Sequence, residues 1–144
     1  MILLTGGNGQ LGTELRHLLD EKGVKYVSTD AKEMDITDAQ ATMDYITNLK
    51  PTVIYHCAAY TAVDKAEDEG KALDEKINVD GTRNVALAAK EVGATLVYIS
   101  TDYVFDGKLK DGEYAVDAPI NPLNEYGRTK ALGEKAVQEI MDDY

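Results

Sequence analysis

Cysteine occurs once in this chain, at Cys57, so no disulfide can form within it, and the thiol is expected to fill space in a strand. Histidine is almost as scarce. His17 and His56 show no spacing typical of a metal site, and the residues themselves predict no metal. No apolar run approaches the ~20 residues needed to cross a bilayer. The first residues also lack the basic flank and cleavage pattern of a signal peptide, so a cytoplasmic protein is expected. Positive charge is in deficit: 15 Lys and Arg face 26 Asp and Glu, and a net charge of −11 repels nucleic-acid phosphates and anionic membranes alike. The expected partners therefore include neither nucleic acid nor membrane. Internal repeats, low-complexity tracts and linkers rich in proline and serine are missing too. Residues 1–144 are read as one domain around one core.

What the chain does have is a glycine turn at a telling place. The apolar run Met1 to Thr5 leads through Gly6-Gly7-Asn8-Gly9-Gln10-Leu11-Gly12 into an amphipathic segment marked by Leu11, Leu15, Leu18 and Leu19, which reads as strand, turn and helix. Gly7, Gly9 and Gly12 have G-x-G-x-x-G spacing, while Gly6, Gly9 and Gly12 have G-x-x-G-x-x-G spacing. Either fingerprint lets backbone N–H groups approach a pyrophosphate at the positive end of a helix. Gly23 stops that helix, Val24 to Thr29 reads as a second strand, and Asp30 stands at its end, eighteen residues beyond Gly12. A carboxylate there suits the hydroxyls of an adenosine ribose and repels a 2′-phosphate, which leans towards NAD(H), although Lys32 is placed to soften the repulsion.

Strands and helices then alternate. Asp35-Ile36-Thr37 leads into a helix from about Asp38 to Asn48, with Thr37 and Gln40 spaced as a capping box. Thr52 to Cys57 reads as a buried strand, Ala58 to Thr61 as a loop of small residues, and Glu67-Asp68-Glu69 as part of a solvated charged stretch. A helix from Ile77 to Val92 carries Val79, Val85, Leu87 and Ala88, and Thr95 to Ile99 forms the next apolar strand, ending at Ser100-Thr101. Counting these four and one more, five strand-like runs are expected in a parallel sheet, with ligands beyond the carboxyl ends of its strands. Tyr126 and Lys130 lie four residues apart in a predicted helix, so they share a face. A lysine held there is expected to lower the phenol's pKa and make Tyr126 a proton donor or acceptor near neutrality.

Four segments together resemble the extended short-chain dehydrogenase/reductase family across the whole chain: Thr5 to Gly12, His56 to Asp64, Ser100 to Gly107, and Tyr126 to Lys130. The resemblance implies an α/β Rossmann-type fold, a doubly wound parallel sheet flanked by helices, which here lacks the C-terminal substrate-binding lobe. It implies an enzyme of nucleotide-sugar biosynthesis that uses NADH or NADPH to reduce the C4 keto group of dTDP-4-dehydro-L-rhamnose. Tyr126 would donate the proton, Thr101 would hydrogen-bond the same oxygen, and Lys130 would hold the nicotinamide ribose. Gly6, Gly9, Gln10, Leu11, Gly12, Asp30, Asp35, Ile36, Ala58, Ala59 and Thr61 would complete the cofactor site, with Asn78 in a structural role. Family members continue past the position of Tyr144, so residues that read the sugar are expected there, and this chain alone is expected to be a poor reductase. The resemblance also allows a homodimer and a magnesium ion. Epimerases and dehydratases share the fold, but the dehydratases commonly carry an Asp-Glu pair after the threonine, and Asp102 is followed by Tyr103. A non-catalytic alternative is a cofactor-binding regulatory subunit similar to the β subunit of methionine adenosyltransferase.

Overall fold

Leu3 and Leu4 are neighbours on one strand and both are fully buried. Adjacent strand residues point to opposite faces, so the sheet must be covered on both sides. The computed structural model describes all 144 residues and shows how. Strands β1 (Ile2–Thr5), β2 (Tyr26–Thr29), β3 (Val53–His56) and β4 (Thr95–Tyr98) form one parallel sheet in the order β2-β1-β3-β4. Their register is continuous, with Thr5 beside Thr29 on one side and beside His56 on the other. Helix α1 (Gln10–Glu21) connects β1 to β2, while α2 (Ala39–Leu49) and α4 (Thr82–Val92) connect strands that step across the sheet in the opposite direction. Right-handed crossovers therefore put α1 on one face and α2 and α4 on the other. Leu3 joins Ile46, Ile54, Val85, Ala89 and Leu96 in the main core, together with Val137 of α5 (Glu125–Ile140). Leu4 lies outside that cluster, on the face where α1 buries Leu19.

Several local expectations change. Four strands form rather than five, one within each of the runs 1–5, 24–29, 52–57 and 95–99, and no other segment joins the sheet. Helix α2 is capped by Asp38, whose carboxylate accepts the N–H of Ala41 at 2.9 Å. Thr37 lies one residue before that cap, and its hydroxyl donates to Asp35 at 2.7 Å. Leu11, Leu18 and Leu87 face outward, leaving Leu19, Val85 and Ala88 to make the buried stripes. The helix expected from Ile77 is interrupted: α3 (Lys71–Glu75) runs into a π turn at Lys76–Gly81 before α4 begins. A π turn admits one extra residue per ring, and here it aims the buried Asn78 side chain at the loop after β3. Cys57 lies just past β3, half-buried on the edge of a cleft, and not within the strand. Glu67 is exposed but not free, because its carboxylate accepts the N–H of Glu125 at the start of α5 at 2.9 Å.

Candidate active site

All four strands point their carboxyl ends the same way, so the segments that follow them share one edge. Between the loops after β1, β2 and β3 lies a cleft of about 540 Å³. It brings together Gly6, Gly9, Asp30, Asp35, Ile36, Ala58 and Ala59 from the predicted site. Gln10, Leu11, Gly12, Thr61, Thr101, Tyr126 and Lys130 lie outside its walls. The far wall was not foreseen: Leu73, Lys76 and Ile77, spaced three and four apart on α3 and the π turn, line it. That spacing is a helical face. It was masked by the surrounding charge, which reads as solvated.

The glycine turn is built for close approach. Gly6 has φ of +68°, and a Cβ there would stand 2.6 Å from the Ala58 nitrogen. A Cβ on Gly12 would meet the Gly6 carbonyl oxygen and sit 2.8 Å from the Gly7 Cα. Both positions demand glycine for the backbone to fold back on itself. Beyond the turn, the Asp30 carboxylate accepts the N–H of Asn8 at 3.1 Å, which fixes it beside the glycines. Asp35 accepts the hydroxyl and N–H of Thr37, and these bonds, with Lys76 adding a smaller attraction, hold its carboxyl below the ordinary carboxylate range. Backbone amides, a carboxylate at ribose distance along the chain and an apolar slot at Ile36 and Leu73 suit a dinucleotide.

A buried histidine sets the third wall. The Thr5 hydroxyl accepts the Ala58 N–H at 3.1 Å and is hydrogen-bonded to His56 Nδ1 at 2.8 Å. Its Nε2 is hydrogen-bonded to the Thr82 hydroxyl at 3.1 Å, so the one N–H and the one lone pair of a neutral ring each meet a hydroxyl that can accept or donate. Burial pushes its pKa down to about 3, with the Lys130 charge acting the same way, so the ring stays neutral. This relay pins the loop at Ala58.

The Tyr126 end is assembled differently. Tyr126 is 8% exposed and meets the Tyr103 ring edge-on at 5.8 Å. Burial raises its pKa above the ordinary phenol value, and hydrogen bonding from Thr101 opposes that only in part. This corrects the expected lowering by Lys130. The ammonium instead donates to the Ile99 carbonyl at 2.6 Å and lies 4.5 Å from the centre of the Tyr98 ring. Burial brings the Lys130 pKa down to about 8. Beneath Tyr126, the fully buried Asp74 accepts Asn78 Nδ2 at 2.7 Å and the Thr129 hydroxyl at 2.8 Å. Asn78 also pairs with both backbone groups of Tyr60, at 2.8 and 3.0 Å. One polar network thus ties the turn of α5 that bears Tyr126 and Lys130 to the loop after β3. No group of three or more His, Cys, Asp or Glu is arranged to hold a metal ion, and no helix is long and apolar enough to cross a membrane.

A parallel sheet with a glycine turn after β1, a carboxylate after β2 and a Tyr/Lys helix beside the last strand defines a Rossmann-type α/β fold. Residues 1–144 match the family described as "RmlD substrate binding domain", and the chain belongs to that family. It is 43% identical over 141 residues to a dTDP-4-dehydrorhamnose reductase of Streptomyces griseus, covering 98% of this chain and 46% of that protein. A Clostridium acetobutylicum dTDP-4-dehydrorhamnose reductase superposes with a TM-score of 0.93 at 46% identity, covering 99% of this chain and 50% of the other. A Bacillus anthracis enzyme of the same name, solved in complex with NADP, superposes with a TM-score of 0.94 at 43% identity, with the same coverages. The chain thus spans about half the length of the relatives it matches.

Proposed function

We propose that this chain is the cofactor-binding part of an NAD(P)H-dependent reductase that converts the C4 keto group of dTDP-4-dehydro-L-rhamnose to the alcohol. The observation that carries the reading is the cleft itself, which runs from the Gly6 turn and Asp30 to Ala58 and Ala59 on the edge shared with Thr101 and Tyr126. A reduced nicotinamide bound there would supply hydride to the carbonyl carbon. Tyr126 donates the proton to the developing C4 oxygen, and its raised pKa keeps it protonated and ready to do so across the neutral range. Thr101 hydrogen-bonds the same oxygen. Lys130 has three N–H donors and gives only one to Ile99, so two remain for the ribose hydroxyls. Asp30 receives the adenosine ribose, Gly9 closes the turn with its N–H on the Gly6 carbonyl at 3.1 Å, and Gln10, Leu11 and Gly12 present the first helical amides to the pyrophosphate. Asp35 and Ile36 border the adenine, while Ala58, Ala59 and Thr61 leave room for the nicotinamide.

Calorimetric titration of the chain with NADPH and with NADH tests the binding half of the proposal. Stoichiometric binding of either supports it, and binding of neither overturns it. Loss of reduced-nicotinamide absorbance on adding dTDP-4-dehydro-L-rhamnose, measured with a full-length protein carrying these residues, tests the chemistry.

A further inference from the structure

The cleft leaves one question of cofactor chemistry open, namely what a 2′-phosphate would meet beside Asp30. It would meet a cation, Arg16. Arg16 lies on α1, and its side chain folds back to the glycine turn, where Nη1 donates to the Gly7 carbonyl at 3.2 Å and to Asn8 Oδ1 at 3.0 Å. The backbone N–H of the same Asn8 holds the Asp30 carboxylate at 3.1 Å. Asn8 is therefore a bridge, its backbone N–H on Asp30 and its side-chain oxygen on Arg16. The stem is seated as well, because Gly7 has no side chain and Arg16 Cδ packs 3.5 Å from where its Cβ would stand.

The Arg16 guanidinium has no carboxylate partner. The chain carries a net charge of −11, yet its ion pairs belong to Lys71, Arg128 and Lys135, and none involves Arg16. A guanidinium has five N–H donors, and here both protein bonds come from Nη1 to neutral oxygens. Nε and Nη2 remain for an anion, in the planar fork that matches a phosphate.

We propose that Arg16, oriented by Asn8 and Gly7, is the receptor for the 2′-phosphate of NADP(H) and lets this chain accept that cofactor despite Asp30. The proposal rests on the cleft being a dinucleotide site. It explains how one site can tolerate both cofactors: the ribose carboxylate favours free hydroxyls, and an adjacent unpaired guanidinium offsets its repulsion of a phosphate.

The test is calorimetric titration of the chain with NADP⁺, NAD⁺, adenosine 2′,5′-bisphosphate and ADP, repeated on Arg16→Gln, Arg16→Lys and Lys32→Ala. Arg16→Gln is expected to weaken NADP⁺ and the 2′,5′-bisphosphate by about tenfold or more, the scale of one lost charged phosphate contact, and NAD⁺ and ADP by less than about twofold. Arg16→Lys, which keeps the charge but loses the fork, should fall between. Equal weakening of phosphorylated and unphosphorylated ligands would show that Arg16 only braces the turn, and would overturn the proposal. So would a selective loss in Lys32→Ala with none in Arg16→Gln. Wild-type chain that binds NAD⁺ but shows no affinity for the 2′-phosphorylated ligands overturns this inference alone. Failure to bind any of the four overturns the reading of the cleft and this inference with it.

Discussion

The two ends of the cleft are held by different kinds of contact. At the glycine end the geometry is made by backbone: Gly6 against Ala58, Gly12 against Gly6, and Asn8 N–H on Asp30. At the Tyr126 end it is made by side chains drawn from three separated segments, with Asp74 and Asn78 from one, Thr129 from a second and the half-buried Tyr98 from a third each contributing a polar group. Backbone contacts depend on where the chain can turn, which residue type alone largely decides. Buried side-chain contacts depend on what else arrives there, and the balance of desolvation against pairing sets each charge. The first end should tolerate surface change and reject added atoms; the second should be sensitive to single polar substitutions.

The largest effect that could break this division is at Tyr126. In a full-length protein carrying these residues, Tyr126→Phe should lower kcat by about 10² to 10⁴-fold while the dissociation constant for NADPH stays within about threefold, because the phenol serves the proton and not the dinucleotide. Stopped-flow turnover and fluorescence titration separate the two. A variant that loses cofactor affinity in proportion to rate would mean that Tyr126 belongs to the binding end after all.

The same division explains which parts of the molecule could be read in advance. The parallel sheet, the order of elements along the chain and the gathering of Gly6, Asp30 and Ala58 on one edge follow from apolar periodicity and turn residues, which are local. The pKa direction at Tyr126 could not be read from the Tyr/Lys spacing. Four residues along a helix bring two side chains near each other, but Lys130 is drawn off by the Ile99 carbonyl and the Tyr98 ring, both supplied by β4 and the residue after it. Asp74 was hidden for a related reason. In the sequence it stands among Lys71, Glu75 and Lys76 and reads as one more solvated charge, whereas the fold removes it wholly from solvent. Likewise Asn8 and Arg16 stand eight residues apart and become neighbours only because the glycine turn reverses the chain.

A second test uses pH. Lys130 is 4% exposed with its pKa brought down to about 8 from an ordinary 10.5, so between those values the unfolded chain holds more protons at this site than the folded one. The buried charge therefore costs stability below that window, and the cost is relieved as pH rises through it. The full span is on the order of 3 kcal/mol, with a slope no steeper than about 1.4 kcal/mol per pH unit. Urea unfolding of the wild-type chain and of Lys130→Met at pH 7.5 to 10, values set by the shift about 8, should show the difference between them growing in favour of wild type. A difference independent of pH would mean that Lys130 is solvated like a surface lysine.

The smallest expected effect, and the sharpest probe of the backbone-built end, is Asp30→Asn. The amide keeps an oxygen for the Asn8 N–H, so the turn should hold its shape while one negative charge leaves the ribose site. Removing that charge relieves repulsion of a 2′-phosphate and weakens the carboxylate's grip on free ribose hydroxyls, two changes of the same sign in the ratio. Affinity for NADP⁺ relative to NAD⁺ should rise by roughly 5 to 10-fold, the effect of about 1 kcal/mol at a partly solvated position. Titration of both cofactors on the variant checks it, and raising the salt concentration should shrink the gain because the term is electrostatic. An unchanged ratio would place the adenosine ribose away from Asp30 and leave the glycine turn as the only part of this end that meets the dinucleotide.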